Sequence, residues 1–166
     1  MALSSRFAVA VHILTLLELG QGTPLTSAYL AASVRTDPAV IRRLLTLLAR
    51  AGLTRSRLGA GGGTLPARGA VEVTLLDVYR AVEAGVVFTQ HRETPSPICL
   101  IGRHIQSSLQ ARMDAATRAL EAELATTTIA DMLADIRRRD RTRHRPLARD
   151  RAGSPRASTL HRRTAP

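Results

Sequence analysis

The stretch TSAYLAASVRTDPAVIRRLLTLLARAGLTRSRLGAGGGTLPAR, residues 26–68, decides the fold. Its centre reads as a helix. Thr36 or Asp37 can cap it, and Pro38 fits the first turn, where a missing N–H costs nothing. Ile41, Leu44, Leu45 and Leu48 share one face, and Gly52 ends the run. Arg42, Arg43 and Arg50 fall off that apolar stripe, so their charges reach solvent or a partner. Before this helix, TSAYLAASV is a second, shorter one with Thr26 as a candidate N-cap. After it, LTRSRL and TLPAR flank Gly59, Gly61, Gly62 and Gly63. Two strand-like segments around glycines predict a hairpin, and Pro66 suits an edge or a strand end. A short helix, a turn, a second helix and a two-stranded ribbon are the parts of a winged helix-turn-helix.

The glycines invite a different reading. A glycine-rich loop beside Arg50, Arg55 and Arg57 could cradle a nucleotide phosphate. A Walker-type loop needs a lysine, and this chain has none: all 24 basic side chains are arginine. There is also no G-x-S-x-G elbow and no H-E-x-x-H pair, so no enzyme is expected.

Outside the central stretch the pattern is helical. RFAVAVHILTLLELG follows Ser4 and Ser5, with Phe7, Val11, Leu14 and Leu17 at helical spacing and Gly20 at its end. QGTPL reads as a turn. Thr74 and Asp77 form an acidic variant of the capping box ahead of another helix. VVFTQHRETPSP reads as a loop, and a long helix runs from about Gly102 to Ala125. Ile105, Leu109, Met113, Ala116, Leu120 and Leu124 lie on one stripe of it. So long a stripe, with little else to cover it, suggests packing against a second subunit; the alternative is packing on the first domain. Thr128 and Asp131 cap a last helix, IADMLADIRRR. From about Arg139 the chain is arginine, proline, serine and threonine without apolar periodicity, and is expected to be disordered. The expected organisation is a winged head over 1–70, linker and dimerisation helices over 71–136, and a basic tail over 137–166.

The charge follows these divisions. Residues 1–70 carry eight arginines against Glu18 and Asp37, and residues 137–166 carry eleven against Asp140 and Asp150. Between them, residues 71–136 carry nine acids against five arginines. A basic head and a basic tail point to a polyanion, although any single patch also fits a solvated face. In a helix-turn-helix the second helix enters the major groove by its N-terminal end. Here that end is Arg35, Thr36, Asp37, Pro38, Ala39 and Val40, with Arg42 and Arg43 one turn on. Either arginine can donate two hydrogen bonds to guanine, Val40 can touch a thymine methyl, and Thr36 with the first-turn amides suits a phosphate. Double-stranded DNA is therefore the expected partner. An alternative is a winged helix that meets protein and reads no DNA sequence.

Several stretches together resemble the Rrf-two (BadM-type) family of bacterial winged-helix transcription regulators. They are LSSRFAVAVHILTLL, PAVIRRLLTLLARAGL, GAGGGTLPAR, VTLLDVYRAVE, and CLIGRHIQSSLQARMDAATRALEAELATTTIADML. The resemblance covers about residues 1–136. It implies a fold that is mainly α with a small β-wing and a long dimerisation helix. It also implies a homodimer on a palindromic operator, most often a repressor. In that family the wing residue before the first glycine is often arginine and the one after the glycines aromatic; here they are Leu58 and Thr64. Arg55, Arg57 or Arg68 can take over a groove contact. Cluster-binding members hold iron–sulfur with three cysteines ahead of the long helix. Here Cys99 is the only cysteine, and the further ligand position falls on Gly102. One branch uses an acid and a histidine of the first helix, where this chain has Ala8 and His12. The resemblance is thus to the branch without a cluster, and no cofactor or metal is expected.

Cys99 stands ahead of a helix start and near Arg103, which suits a redox-sensing thiol; the alternative is an inert packing residue. A single cysteine excludes an intrachain disulfide. No positive leader precedes the apolar residues 7–17, and that run is too short to span a bilayer, so a cytoplasmic protein without a membrane partner is expected.

Overall fold

The computed structural model describes residues 5–83, 87–89 and 92–143. Helix α1 (Arg6–Leu19) is apolar on almost every side because it is covered from more than one direction. Ala10, Ile13, Leu14 and Leu17 face the core, and Thr15 is buried with its hydroxyl donating to the Val11 carbonyl at 2.8 Å. Helix α2 (Ser27–Val34) is capped by Thr26, whose hydroxyl accepts from the Tyr29 amide at 3.2 Å. Helix α3 (Pro38–Arg50) buries Ile41, Leu44 and Leu48. Arg35 makes the turn between α2 and α3 with φ 61°.

Strand β1 (Thr54–Arg57) pairs antiparallel with β2 (Gly63–Pro66), Arg57 opposite Gly63 and Thr54 opposite Pro66. The segment QGTPL, expected to be only a turn, contributes to this ribbon. Leu25 bridges Thr64, with N–H to O distances of 3.0 and 2.8 Å. The wing is thereby stitched to the connection between α1 and α2. Thr64 is buried there, which suits a small β-branched residue.

Helix α4 (Leu75–Val82) opens with a complete capping box. The Asp77 amide donates to the Thr74 hydroxyl at 3.1 Å, and the Thr74 amide donates to the Asp77 carboxylate at 2.9 Å. Thr74→Ala should cost about 1 kcal/mol in urea unfolding, and Thr74→Ser should keep most of it. Helix α5 (Leu100–Ala125) starts slightly before Gly102, with Cys99 at its N-cap position. Helix α6 (Ile129–Arg143) repeats the box with Thr128 and Asp131, whose hydrogen bonds hold the Asp131 carboxyl below the usual aspartate range. It runs past Arg139, where the sequence predicts that order ends. Arginine is a good helix former, and Asp135 pairs with Arg138 and Arg139 at helical spacing. The rest of the expected tail, 144–166, lies outside the described residues.

The core of the head is not closed by residues 1–70. Val73, Val78, Val82 and Ile129 join Ile13, Leu17, Leu30, Ile41, Leu44, Leu48 and Leu53 in one cluster. The chain returns to it after α5: Leu75 N–H donates to Thr127 O and Ile129 N–H to Val73 O, both at 2.9 Å. Helix α6 then lies along α1, whereas α5 buries no residue. Arg80 of α4 holds α5 through Glu121 at 2.9 Å. Among the described residues, no helix is long and apolar enough to cross a membrane.

Candidate nucleic-acid interface

Helix α3 and the wing enclose an open cleft. Three arginines reach it: Arg42 and Arg50 from α3, and Arg57 from β1. Among the described residues no acidic side chain lines it, and its remaining polar groups are hydroxyls, among them Ser27, Thr46 and Ser56. Helical spacing explains the α3 side: positions 42, 46 and 50 recur every four residues and stand opposite the buried stripe. The Thr46 hydroxyl donates to the Arg42 carbonyl at 3.0 Å, and the side chains of Arg42 and Arg50 are exposed. Strand alternation turns Thr54 and Ser56 to the cleft, and Arg57 reaches it as well from the last position of β1.

The arginines singled out from the sequence therefore separate. Arg42 and Arg57 face the cleft together. Arg43 opens on the other flank of α3, in a hollow with Val40, Leu47 and Arg6 of α1. Val40 is 40% exposed there. Arg55 donates to the Pro66 carbonyl at 3.3 Å, across its own hairpin. Arg68 donates to the Glu72 carbonyl at 2.8 Å and sits with Leu14, Glu18 and Ile129, away from the cleft. Arg50 belongs to the site although the base-reading pattern, centred on the N-terminal end of α3, passes over it. Its i+8 spacing from Arg42 is the signal in the sequence that marks it.

The N-terminus of α3 differs from the expectation of free amides. Asp37, not Thr36, is the cap; its carboxylate accepts from Ala39 N–H at 2.6 Å. The amides of Val40 and Ile41 donate to the Asp37 carbonyl, and that of Thr36 to Ala31. A phosphate at this point would meet a carboxylate rather than open donors. Arg35 is exposed at the turn, while Thr36 and Pro38 are half-buried. At the wing tip Leu58 is 91% exposed.

The long-helix stripe is the other surface to place. Ile105 and Leu109 are 43% and 47% exposed, Ala116 is exposed, and Met113, Leu120 and Leu124 are half-buried. Cys99 is exposed.

A helix-turn-helix carrying a two-stranded wing, with an arginine-lined cleft between reading helix and wing, defines a winged-helix DNA-binding regulator. The family model of Rrf2, described as an iron-dependent transcriptional regulator, matches residues 3–135, and the chain belongs to that family, the Rrf-two family of the resemblance. It is 37% identical over 131 residues to the candidate HTH-type transcriptional regulator YwnA of Bacillus subtilis strain 168, covering 79% of this chain and 96% of YwnA. A crystal structure of a candidate DNA-binding protein matches at TM-score 0.63 and 35% identity, over 78% of this chain and 99% of that one. A candidate transcriptional regulator from Lactobacillus plantarum matches at TM-score 0.67 and 25% identity, over 80% and 90%.

The family's iron chemistry does not fit the residues present. An iron–sulfur cluster needs about four protein ligands, usually thiolates, and this chain supplies Cys99 alone. The His12 imidazole is hydrogen-bonded to the Ser33 hydroxyl at 3.0 Å. Among the described residues, no three His, Cys, Asp or Glu side chains come together as a metal site.

Proposed function

We propose that the protein is a homodimeric, sequence-specific regulator that binds a palindromic operator and represses. The observation that carries the reading is the acid-free cleft holding Arg42, Arg50 and Arg57. Arg42, with Arg43 and Val40 on the other flank of α3, reads bases; Arg57 and Arg50 meet phosphates. The unburied stripe on α5 supports a dimer. Two heads on a twofold axis read inverted half-sites about one helical turn apart, or a multiple of it. Occupying an operator that overlaps a promoter is enough for repression and needs no further surface.

Selection of bound DNA from random sequence by the purified protein tests this. The expected product is an inverted repeat, and a reporter driven through that repeat should rise when the gene is deleted. If no sequence is enriched, the head meets protein instead of DNA. If the reporter falls on deletion, the protein activates.

A further inference from the structure

Helix α3 has a second flank, turned away from the wing. A hollow of about 480 Å³ opens there, bordered by Val40, Arg43, Leu44, Thr46 and Leu47 of α3 and by Arg6, the first residue of α1. Among the described residues, two guanidiniums and no acid line it. Packing brings Arg6 to this place. Phe7 stands edge-on to Tyr79 of α4 with ring centroids 6.0 Å apart, which fixes the start of α1 beside the end of α4. There Arg6 pairs with Glu83 at 3.5 Å, a longer contact than the 2.9 Å between Arg80 and Glu121. The two partners differ in freedom. The Glu83 amide is tied to the Tyr79 carbonyl at 2.9 Å and its side chain is 16% exposed, whereas that of Arg6 is 52% exposed. When the pair opens, Arg6 is the side chain with room to move.

An α-helix with its side chains is about 10–12 Å across, and the major groove is about 12 Å wide. A helix seated there has a sugar-phosphate backbone against each flank. On the wing flank of α3, the cleft with Arg50 and Arg57 meets one strand in the reading above. The opposite strand then passes the hollow that holds Arg6. A guanidinium can grip a phosphate through two parallel hydrogen bonds. A half-exposed ion pair adds little net stability, so the pair with Glu83 does not hold Arg6 back from a better anion. We propose that Arg6 is a phosphate contact to the second DNA strand, and that the Glu83 carboxylate competes with the phosphate for it. The inference rests on the DNA-binding reading above and adds to it a contact outside the helix-turn-helix and the wing. It also gives Glu83 a sign: its carboxylate weakens DNA binding although it never touches DNA.

The test uses the full chain, titrated in fluorescence anisotropy at several salt concentrations. The probes are the operator obtained by selection and a scrambled duplex. Arg6→Ala and Arg6→Gln should each weaken both duplexes by about three- to tenfold and lower the salt slope by about one. The glutamine keeps much of the side-chain stem, so a loss shared by both variants belongs to the charge. Arg6→Lys should restore the slope. Glu83→Gln should tighten both duplexes by about threefold. In the Arg6→Gln background the same Glu83→Gln change should do nothing, because its effect runs through Arg6. An equal gain with and without the arginine overturns the competition, since removal of any negative charge would then suffice. A salt slope unchanged by Arg6→Gln, in a wild type that binds its operator, overturns the contact and leaves the DNA-binding reading standing. Wild-type protein that binds neither duplex overturns both.

Discussion

Replacing Arg42 with alanine is expected to weaken operator binding by one to two orders of magnitude and to flatten the preference at one base pair of each half-site. Arg42 lies one turn into α3, exposed, on the flank that faces the wing. In the proposed complex a guanidinium there reaches the major groove as α3 enters it, and a bidentate contact to guanine discriminates by about 1–3 kcal/mol. Arg50→Ala and Arg57→Ala should behave differently. Both flank the same cleft, but one is at the C-terminal end of α3 and the other on β1. They should weaken operator and random DNA alike, and each should lower the salt slope of binding by about one. Arg55→Ala and Arg68→Ala should change affinity least, because those side chains are engaged by the carbonyls of Pro66 and Glu72. Fluorescence anisotropy at several salt concentrations, on operator and on scrambled DNA, separates these outcomes. If Arg42→Ala lost operator and scrambled DNA equally, it would be a phosphate contact and base reading would move to Arg43 on the opposite flank.

What could be read from the sequence depended on whether a feature repeats. Helix α3 was legible because four apolar positions recur at helical spacing and Pro38 follows a capping residue. The capping boxes at Thr74 and Thr128 were legible because each needs only two residues three apart. Leu25 was not, because one bridged residue leaves no period. The choice of Asp37 over Thr36 as cap is decided by backbone geometry, which both side chains tolerate as sequence. The continuation of α6 to Arg143 was hidden by the loss of its apolar stripe; single-helix pairing through Asp135 replaces it. The site divides the same way. Sequence gives the basic residues of α3 and the wing, but which flank each occupies depends on the angle between them. Arg68 shows the limit: four residues before Glu72, it turns back to that carbonyl and stands away from the cleft.

Gly63→Val should damage the wing heavily, costing about 2–4 kcal/mol of stability. Four glycines crowd this hairpin, and they serve different ends. Gly61 has φ +73° with open space around it, so Gly61→Ala meets only the cost of a left-handed backbone, about 1 kcal/mol. At Gly63 the obstacle is a neighbour. A Cβ there would lie 2.7 Å from the Leu25 carbonyl oxygen, which already accepts from the Thr64 amide in the bridge. Relief requires β2 to separate from Leu25, which breaks the two bridging hydrogen bonds and uncovers Thr64. Leu25 leads into Thr26 and Ser27 at the start of α2, and both line the arginine-bearing cleft. The same displacement therefore moves the wing away from α3 and should lower operator affinity beyond the loss of stability. Urea unfolding gives the first effect, and anisotropy under conditions where the variant is folded gives the second. A Gly63→Val protein as stable as Gly61→Ala would mean that the wing yields without parting from Leu25, and the stitch would then carry little of the fold.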